Sequence, residues 1–293
     1  MVTDSGLGGL TTAASMVNAL ERRASGPGVD VVFVNAQASW NPKAFYGSLP
    51  SNEVKGQLFW RVLDKIQEEL APSLLVVACN TLSVVYREMG DTRPFPVVDI
   101  LAAGNDALQA GWRRYPTAEM VLFATQTTID GGVYQRGLAA ADFPMSRLHT
   151  QACPQLSVHI EKGDMLEVAR RVSQHVADVA SRMHGRKAVL GICCTHYEYV
   201  KDVFVKAFAA RGITVVTTAS PDGEHLIESW TVPDRRLEEG PRVRMRVISQ
   251  CELTEESIRA CAGFLEKTSG TVAEALRQYK HRPNYFPWED LIA

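Results

Sequence analysis

Short apolar runs alternate with amphipathic segments along the whole chain. The runs are rich in Val and Ile, about six residues each, and occupy residues 29–35, 74–79, 95–100, 120–125, 188–194 and 213–218. Runs of this length and composition predict buried strands. Regular alternation of strands and helices predicts a mainly parallel α/β sheet covered by helices on both faces.

Three of the amphipathic segments have clear helical signals. The first begins at Ser51, a favourable N-cap residue, and carries an apolar residue at every fourth position from Val54 to Leu70. The second covers residues 168–183. The third runs from Glu198 to Gly212, where a glycine cap is expected.

Two predicted strands end in similar cysteine motifs, Cys79-Asn80-Thr81 and Cys194-Thr195-His196. Ligands of open α/β sheets bind at the carboxyl ends of strands, and a helix N-terminus at that position favours the reactive thiolate. The repetition predicts two similar halves, each presenting a thiol at a strand end. The remaining cysteines are interpreted as small buried hydrophobes: Cys153, Cys193, Cys251 and Cys261.

A zinc site near Cys193, Cys194 and His196 is not favoured. Adjacent strand residues point to opposite faces, and no Cys-x-x-Cys pair is present. The sequence therefore predicts no metal site.

Composition restricts the partners and the compartment. The chain has 293 residues, 46% of them hydrophobic and 22% charged, with a net charge of -2. This balance gives no electrostatic basis for direct nucleic-acid or acidic-membrane binding. No apolar run approaches the roughly 18 residues of a membrane span, and no signal peptide is visible. We expect a cytoplasmic protein with free thiols.

Polar loops supply further candidate ligand-binding groups. The loop Asp4-Ser5-Gly6-Leu7-Gly8-Gly9 is followed by Thr11 where a dinucleotide fingerprint needs glycine, so it suits a small carboxylate or ammonium group. A tight turn with a helix cap is the alternative. Tyr46-Gly47 and the hydroxyl-rich residues 125–128 offer donors to a carboxylate, or simply form a turn and a helix cap.

Taken in order, these motifs resemble the glutamate racemases of the aspartate/glutamate racemase superfamily. The resemblance covers about residues 3–265 and also includes Cys153-Pro154 with Glu161 and the His196-Tyr197 pair. It implies two pseudo-symmetric parallel-sheet α/β domains with helices on both faces and the active site in the cleft between them. The implied domains are residues 1–98 with 208–267, and residues 99–207, followed by a C-terminal extension over residues 268–293.

The resemblance also implies residue roles. Two bases on opposite faces of the substrate, Cys79 for the D-enantiomer and Cys194 for the L-enantiomer, would exchange a proton at Cα without a cofactor. Asp4 would assist Cys79, while Glu161 and His196 would assist Cys194. The implied substrate-binding residues are Ser5, Tyr46, Gly47, Asn80, Thr81, Thr125, Thr128 and Thr195. The partner implied is a small-molecule amino acid, and the resemblance leaves open whether the chain forms a homodimer.

Other functions remain open at this point. The substrate could be aspartate or another amino acid instead of glutamate. The chain could also be a catalytically idle member that acts by binding a partner through its aromatic C-terminal segment. A thiol hydrolase that uses one cysteine with His196 is a third alternative, but it leaves the second cysteine motif unexplained.

Overall fold

The chain folds into two parallel β-sheets. A computed structural model describes residues 1–23, 28–228 and 243–292. The strands are β1 (Val2–Asp4), β2 (Val29–Asn35), β3 (Leu75–Val77), β4 (Val97–Asp99), β5 (Glu119–Ala124), β6 (Leu148–Ala152), β7 (Lys187–Cys193), β8 (Thr214–Ala219), β9 (Val243–Ser249) and β10 (Lys280–His281). The first sheet has the order β10-β9-β2-β1-β3-β4, and the second has the order β6-β5-β7-β8.

Helices connect and cover these strands. They are α1 (Leu10–Arg22), α2 (Asn52–Leu70), α3 (Asn80–Met89), α4 (Leu101–Arg114), α5 (Gln126–Asp130), α6 (Val133–Ala140), α7 (Leu156–Glu161), α8 (Met165–Ala180), α9 (Thr195–Glu198), α10 (Lys201–Ala209), α11 (Gly223–Leu226), α12 (Glu255–Leu265) and α13 (Gly270–Arg277). Within the three ranges given above, no helix is long and apolar enough to cross a membrane.

Each sheet has a hydrophobic core on both of its faces. Successive strand residues alternate between the two cores: Val76 packs on one face of the first sheet, while Leu75 and Val77 pack on the other. In the second sheet the neighbouring residues Ile192 and Cys193 likewise pack into cores on opposite faces. Burial on both faces explains why these strands are continuously apolar, and it confirms the predicted α/β architecture with helices on both faces.

The local predictions agree with the structure where the sequence signal is strong. The Ser51 side chain accepts a hydrogen bond from the Val54 amide and begins α2. Gly212 has a positive φ of 67°, as the predicted glycine cap requires. The third predicted helix begins later than expected: Glu198 is the last residue of α9, the chain turns at Tyr199 and Val200, and α10 covers Lys201–Ala209.

The predicted domain boundary after residue 207 is wrong. Strand β8 pairs in parallel with β7, so the second sheet continues to Ala219. The chain returns to the first sheet at β9, which pairs with β2 along seven residues. Residues 229–242, inside the predicted returning segment, lie outside the described residues.

The predicted C-terminal extension is part of the first sheet's domain. Strand β10 pairs with β9, and Leu276 of α13 is buried in the core with α1. Beyond β10, Tyr285 and Phe286 pack into the core beneath α2. An exposed ion pair between Arg61 and Asp290 also connects α2 to this segment, with N and O 2.6 Å apart.

We expect Phe286→Ala to destabilise the protein by about 3–5 kcal/mol, because the ring is 1% exposed and its removal leaves a cavity. Urea unfolding measures the loss. Trp60→Ala on α2 is the control, since Trp60 is 53% exposed and its truncation should change stability by about 0.5 kcal/mol or less. Equal losses in the two variants would show that the C-terminal segment does not contribute to the core.

Candidate active site

The two cysteine motifs meet at one cavity between the sheets. Cys79 follows β3 and immediately precedes α3, while Cys194 follows β7 and precedes α9. Both cysteines line a cavity of about 310 Å³, and each is only 6% exposed. The carboxyl ends of strands from two separate sheets therefore face one small cavity.

Most of the predicted site residues line this cavity. They are Ser5, Tyr46, Gly47, Cys79, Asn80, Thr81, Thr125, Glu161, Cys194, Thr195 and His196. The two others lie behind it. Asp4 is fully buried and accepts a hydrogen bond from the Thr195 hydroxyl at 2.8 Å, and the Thr128 hydroxyl lies 3.0 Å from that of Thr125.

A carboxylate lies beneath the Cys79 side of the cavity. The Ser5 hydroxyl oxygen is 3.1 Å from Cys79 Sγ, and Asp4 Oδ1 accepts a hydrogen bond from the Gly6 amide at 3.1 Å. Burial raises the pKa of Asp4, an effect that His196 and Thr195 partly offset. Burial, and then the charge of Asp4, raise the pKa of the Cys79 thiol. Cys79 is therefore a neutral thiol at neutral pH.

An imidazole–carboxylate pair lies on the Cys194 side. His196 Nδ1 is 3.9 Å from Cys194 Sγ, and Nε2 is 2.5 Å from Glu161 Oε1. Burial acts to lower the pKa of His196, but the charge of Glu161 and hydrogen bonds to Cys194 and Glu161 raise it well above its ordinary value. The raised pKa favours the imidazolium form, and the ring lies with Nε2 at the Glu161 carboxylate and Nδ1 towards Cys194.

The glycine-rich loop is shaped by its close approach to this pair. A Cβ at Gly6 would lie 2.5 Å from Glu161 Oε1, and one at Gly8 would lie 2.5 Å from His196 Nδ1. Between the two glycines, the Leu7 amide donates to Glu161 Oε1 at 2.5 Å. The glycines are needed for backbone approach to the His196–Glu161 pair, which the sequence alone did not indicate.

The cavity wall also carries buried polar groups. Within the described part of the chain, the buried Nδ2 of Asn80 and the buried hydroxyl of Tyr46 have no hydrogen-bond partner. Asn80 is held from behind by the Tyr134 hydroxyl, which lies 2.5 Å from its Oδ1. The Thr81 and Thr125 hydroxyl oxygens are 2.8 Å apart across the two domains. Buried polar groups left without partners are costly, so these atoms fit contacts to a polar ligand.

Two residues of the cavity wall were not predicted to bind a ligand. Cys153 is 3% exposed, as a buried hydrophobe should be, yet it also lines the cavity. Thr127 lines it as well and accepts a hydrogen bond from Lys55 at 2.7 Å. The hydroxyl-rich run contained Thr127, but nothing local indicated Lys55. Thr125 caps α5 in addition, since its side chain accepts from the Thr128 amide.

The geometry does not gather metal ligands. Cys193 and Cys194 pack into different cores on opposite faces of the second sheet. In residues 1–23, 28–228 and 243–292, no group of three His, Cys, Asp or Glu side chains could hold a metal ion.

Comparison with known proteins gives the family. Residues 7–220 match the sequence profile described as Asp/Glu/Hydantoin racemase, which is most of the chain. The chain belongs to this racemase family. The match includes both cysteine motifs, the Thr125 segment and Glu161, and it begins within the glycine-rich loop.

Glutamate racemases are prominent among the relatives of this family member. It is 31% identical to the glutamate racemase of Dinoroseobacter shibae over 242 residues, covering 78% of this chain and 83% of the relative. It is 27% identical to that of Lysinibacillus sphaericus over 220 residues, covering 74% and 76%. The fold is similar to the glutamate racemase of Francisella tularensis solved with D-glutamate, with a TM-score of 0.66, 18% identity and coverage of 92% and 93%.

Proposed function

We propose that this family member is a cofactor-independent racemase that interconverts L- and D-glutamate by proton transfer at Cα between Cys79 and Cys194. The observation that carries the proposal is the position of two cysteines, from corresponding strand ends of two sheets, at one cavity. Relatives named glutamate racemases support glutamate as the substrate.

The reaction needs two groups because the proton must leave one face of Cα and another must arrive on the opposite face. One sulfur takes the proton, so that a Cα–H bond breaks and an S–H bond forms. The electron pair is held as a carbanion conjugated with the α-carboxylate. The second sulfur then gives its proton to the other face, and the two sulfurs have exchanged protonation states.

The surroundings of the two cysteines support different roles for them at the start of a turnover. In this proposal the His196 ring, whose Nδ1 lies 3.9 Å from Cys194 Sγ, favours negative charge on that sulfur, and Cys194 removes the proton from the L-enantiomer. Cys79 has a raised pKa and is the thiol that donates to the other face. After one turnover the charge lies on Cys79, beside the hydroxyl of Ser5. The same residues then run the reaction from the D-enantiomer.

Polar groups of the cavity wall hold the substrate in this proposal. Asn80 Nδ2 and the hydroxyls of Ser5 and Thr195 bind the amino and α-carboxylate groups. The Tyr46–Gly47 turn and Thr125, positioned by Thr128, bind the distal carboxylate. Donors aimed at a carboxylate in a water-poor cavity lower the free energy of the carbanion more than they would in water.

A panel of L-amino acids incubated with the protein in deuterated water tests the proposal. Chiral chromatography with mass detection should show D-glutamate carrying one deuterium at Cα, while aspartate, glutamine, alanine and serine should react more slowly by at least about 100-fold. Racemisation of aspartate alone would assign a different substrate to the same chemistry. No exchange with any amino acid would contradict catalysis.

Asp4→Asn should lower racemisation by about 100-fold, because Cys79 loses the neighbouring carboxylate that assists its proton transfer. It should also stabilise the fold. Burial raises the folded pKa of Asp4 above 3.8, so the wild-type chain loses stability as pH rises from that value through the folded pKa, and the variant does not. Urea unfolding between pH 4 and pH 9 measures the difference.

The control for this substitution is Asp290→Asn. Arg61 lowers the pKa of Asp290, so its contribution has the opposite sign and is present at neutral pH and lost in acid. A stability change of the same sign in both variants would contradict the assignment for Asp4.

A further inference from the structure

A buried cation lies beside the cavity, and among the described residues no carboxylate is in ion-pair contact with it. Lys55 of α2 is 7% exposed, and its Nζ donates to Asn52 Oδ1 at 3.0 Å and to Thr127 Oγ1 at 2.7 Å. Both acceptors are uncharged. Buried lysines are almost always paired with an anion, because an isolated charge in a low-dielectric interior is costly.

The acidic groups that act on Lys55 are at the protein surface. Glu88 and Asp130 are both exposed, and each accepts a hydrogen bond from a neutral amide, of Asn52 and Gln126 respectively. They raise the pKa of Lys55, but burial lowers it by more. An anion nearer to Nζ and shielded from solvent would therefore interact favourably with this ammonium group.

Thr127 connects Lys55 to the cavity. It belongs to α5 of the second domain, whereas Lys55 belongs to the first, so their hydrogen bond crosses the cleft. A hydroxyl has one proton and accepts through its lone pairs. Because Thr127 Oγ1 accepts from Lys55, its own proton remains for another acceptor, and the residue lines the cavity.

The charges of the site are separated along the cavity. The carboxylates of Asp4 and Glu161 contact the motif that carries Thr195 and His196, at one part of the wall. Lys55 lies behind the residue 125–128 segment. A substrate with a second negative charge is therefore best placed with that charge at the Lys55 side.

We propose that Lys55, acting through the Thr127 hydroxyl, selects an amino acid with an anionic side chain over a neutral one of the same length. This rests on the proposed racemase function and adds a specificity-determining residue to it. The distal carboxylate accepts the Thr127 proton, and the ammonium group behind it compensates the added charge. Lys55 does not touch the reacting atoms.

Two substitutions separate the charge of Lys55 from its shape. Lys55→Met keeps an unbranched chain and removes the charge, and Lys55→Arg keeps the charge. Lys65→Met on the exposed side of the same helix is the matched control, since Lys65 pairs with Glu68 and Glu69 at the surface. For each variant, kcat and KM are measured with both glutamate enantiomers. Calorimetry compares affinity for glutarate, a dianion, with affinity for its monoamide glutaramate, in which a neutral amide replaces one of the two carboxylates.

Lys55→Met should raise KM for glutamate by about 10- to 100-fold while kcat changes by about threefold or less. Its affinity for glutarate should fall by a similar factor, and its affinity for glutaramate should not change. Lys55→Arg should have a KM for glutamate close to the wild-type value. Lys65→Met should have the same KM and kcat as wild type. Equal losses for glutarate and glutaramate would show a structural role and overturn the proposal, as would an unchanged KM.

The calorimetric arm keeps this inference separate from the proposed function. If wild type racemises no glutamate, the proposed function fails, but Lys55-dependent preference for glutarate over glutaramate still supports the inference. If wild type does not bind glutarate, or binds it equally well without Lys55, the inference is overturned whatever the activity.

Discussion

Cys79→Ala and Cys194→Ala should each reduce racemisation of glutamate by at least about 1,000-fold, the upper range of what one acid–base group contributes. Either loss removes one of the two faces from which a proton can be exchanged, and no other thiol takes its place. Cys153 also lines the cavity, so it is the thiol whose substitution for a missing cysteine has to be considered. Its Sγ is 3.9 Å from the Gln151 carbonyl oxygen and packs in the same core as Cys194, so we do not expect it to replace Cys79 on the opposite face.

The measurement is the rate of appearance of the opposite enantiomer, starting from L- and from D-glutamate. Cys261→Ala is the matched control, because Cys261 is fully buried in the core around α12, and its truncation should cost about 1 kcal/mol of stability without loss of activity. Cys79→Ser and Cys194→Ser nearly preserve the side-chain volume. An equal loss of activity in these variants would show that the loss is not caused by misfolding. A Cys79 variant that racemises glutamate at the wild-type rate would contradict the two-thiol mechanism.

The sequence predicted the parts of this site that depend on local pattern. A buried strand that ends in a cysteine and continues into a helix can be read from neighbouring residues, and Cys79 and Cys194 both proved to lie at such ends. The resemblance to a racemase family then placed the polar partners. Eleven of the predicted residues line the cavity, although their roles remain predictions.

The features that sequence reasoning missed depend on contacts between distant segments. Lys55 and Thr127 are 72 positions apart and meet only because α2 and α5 come from different domains. Strand β9 was missed for a different reason. Arg244 and Arg246 alternate with apolar residues there, because the first half of one face of that strand is exposed, so the continuous apolar run typical of the other strands is absent.

The wrong domain boundary has the same cause, because it also depends on contacts between distant segments. The run at residues 213–218 predicts a strand, but nothing in its composition specifies which sheet it joins. Strand β8 belongs to the second sheet because it pairs in parallel with β7, and α10 packs against β7. Sheet membership is a tertiary property, whereas the existence of a strand is largely a local one.

His196→Asn should lower kcat/KM for glutamate by about 100-fold, because Cys194 loses the imidazolium that stabilises its thiolate. The loss must be equal in both directions, since two enantiomers have an equilibrium constant of one. The asymmetry appears in isotope effects instead. With proton removal by Cys194 slowed, α-deuterated L-glutamate should show a larger primary isotope effect on kcat/KM than in wild type, and α-deuterated D-glutamate a smaller one.

Asp4→Asn is the mirror-image control for this experiment, because Asp4 lies beside Cys79. It should enlarge the isotope effect for D-glutamate and reduce it for L-glutamate. Circular dichroism and thermal unfolding establish that both variants are folded. Isotope effects that rise equally for the two enantiomers in either variant would mean that His196 and Asp4 do not serve separate faces of the substrate. The assignment of Cys194 to the L-face and Cys79 to the D-face would then be wrong.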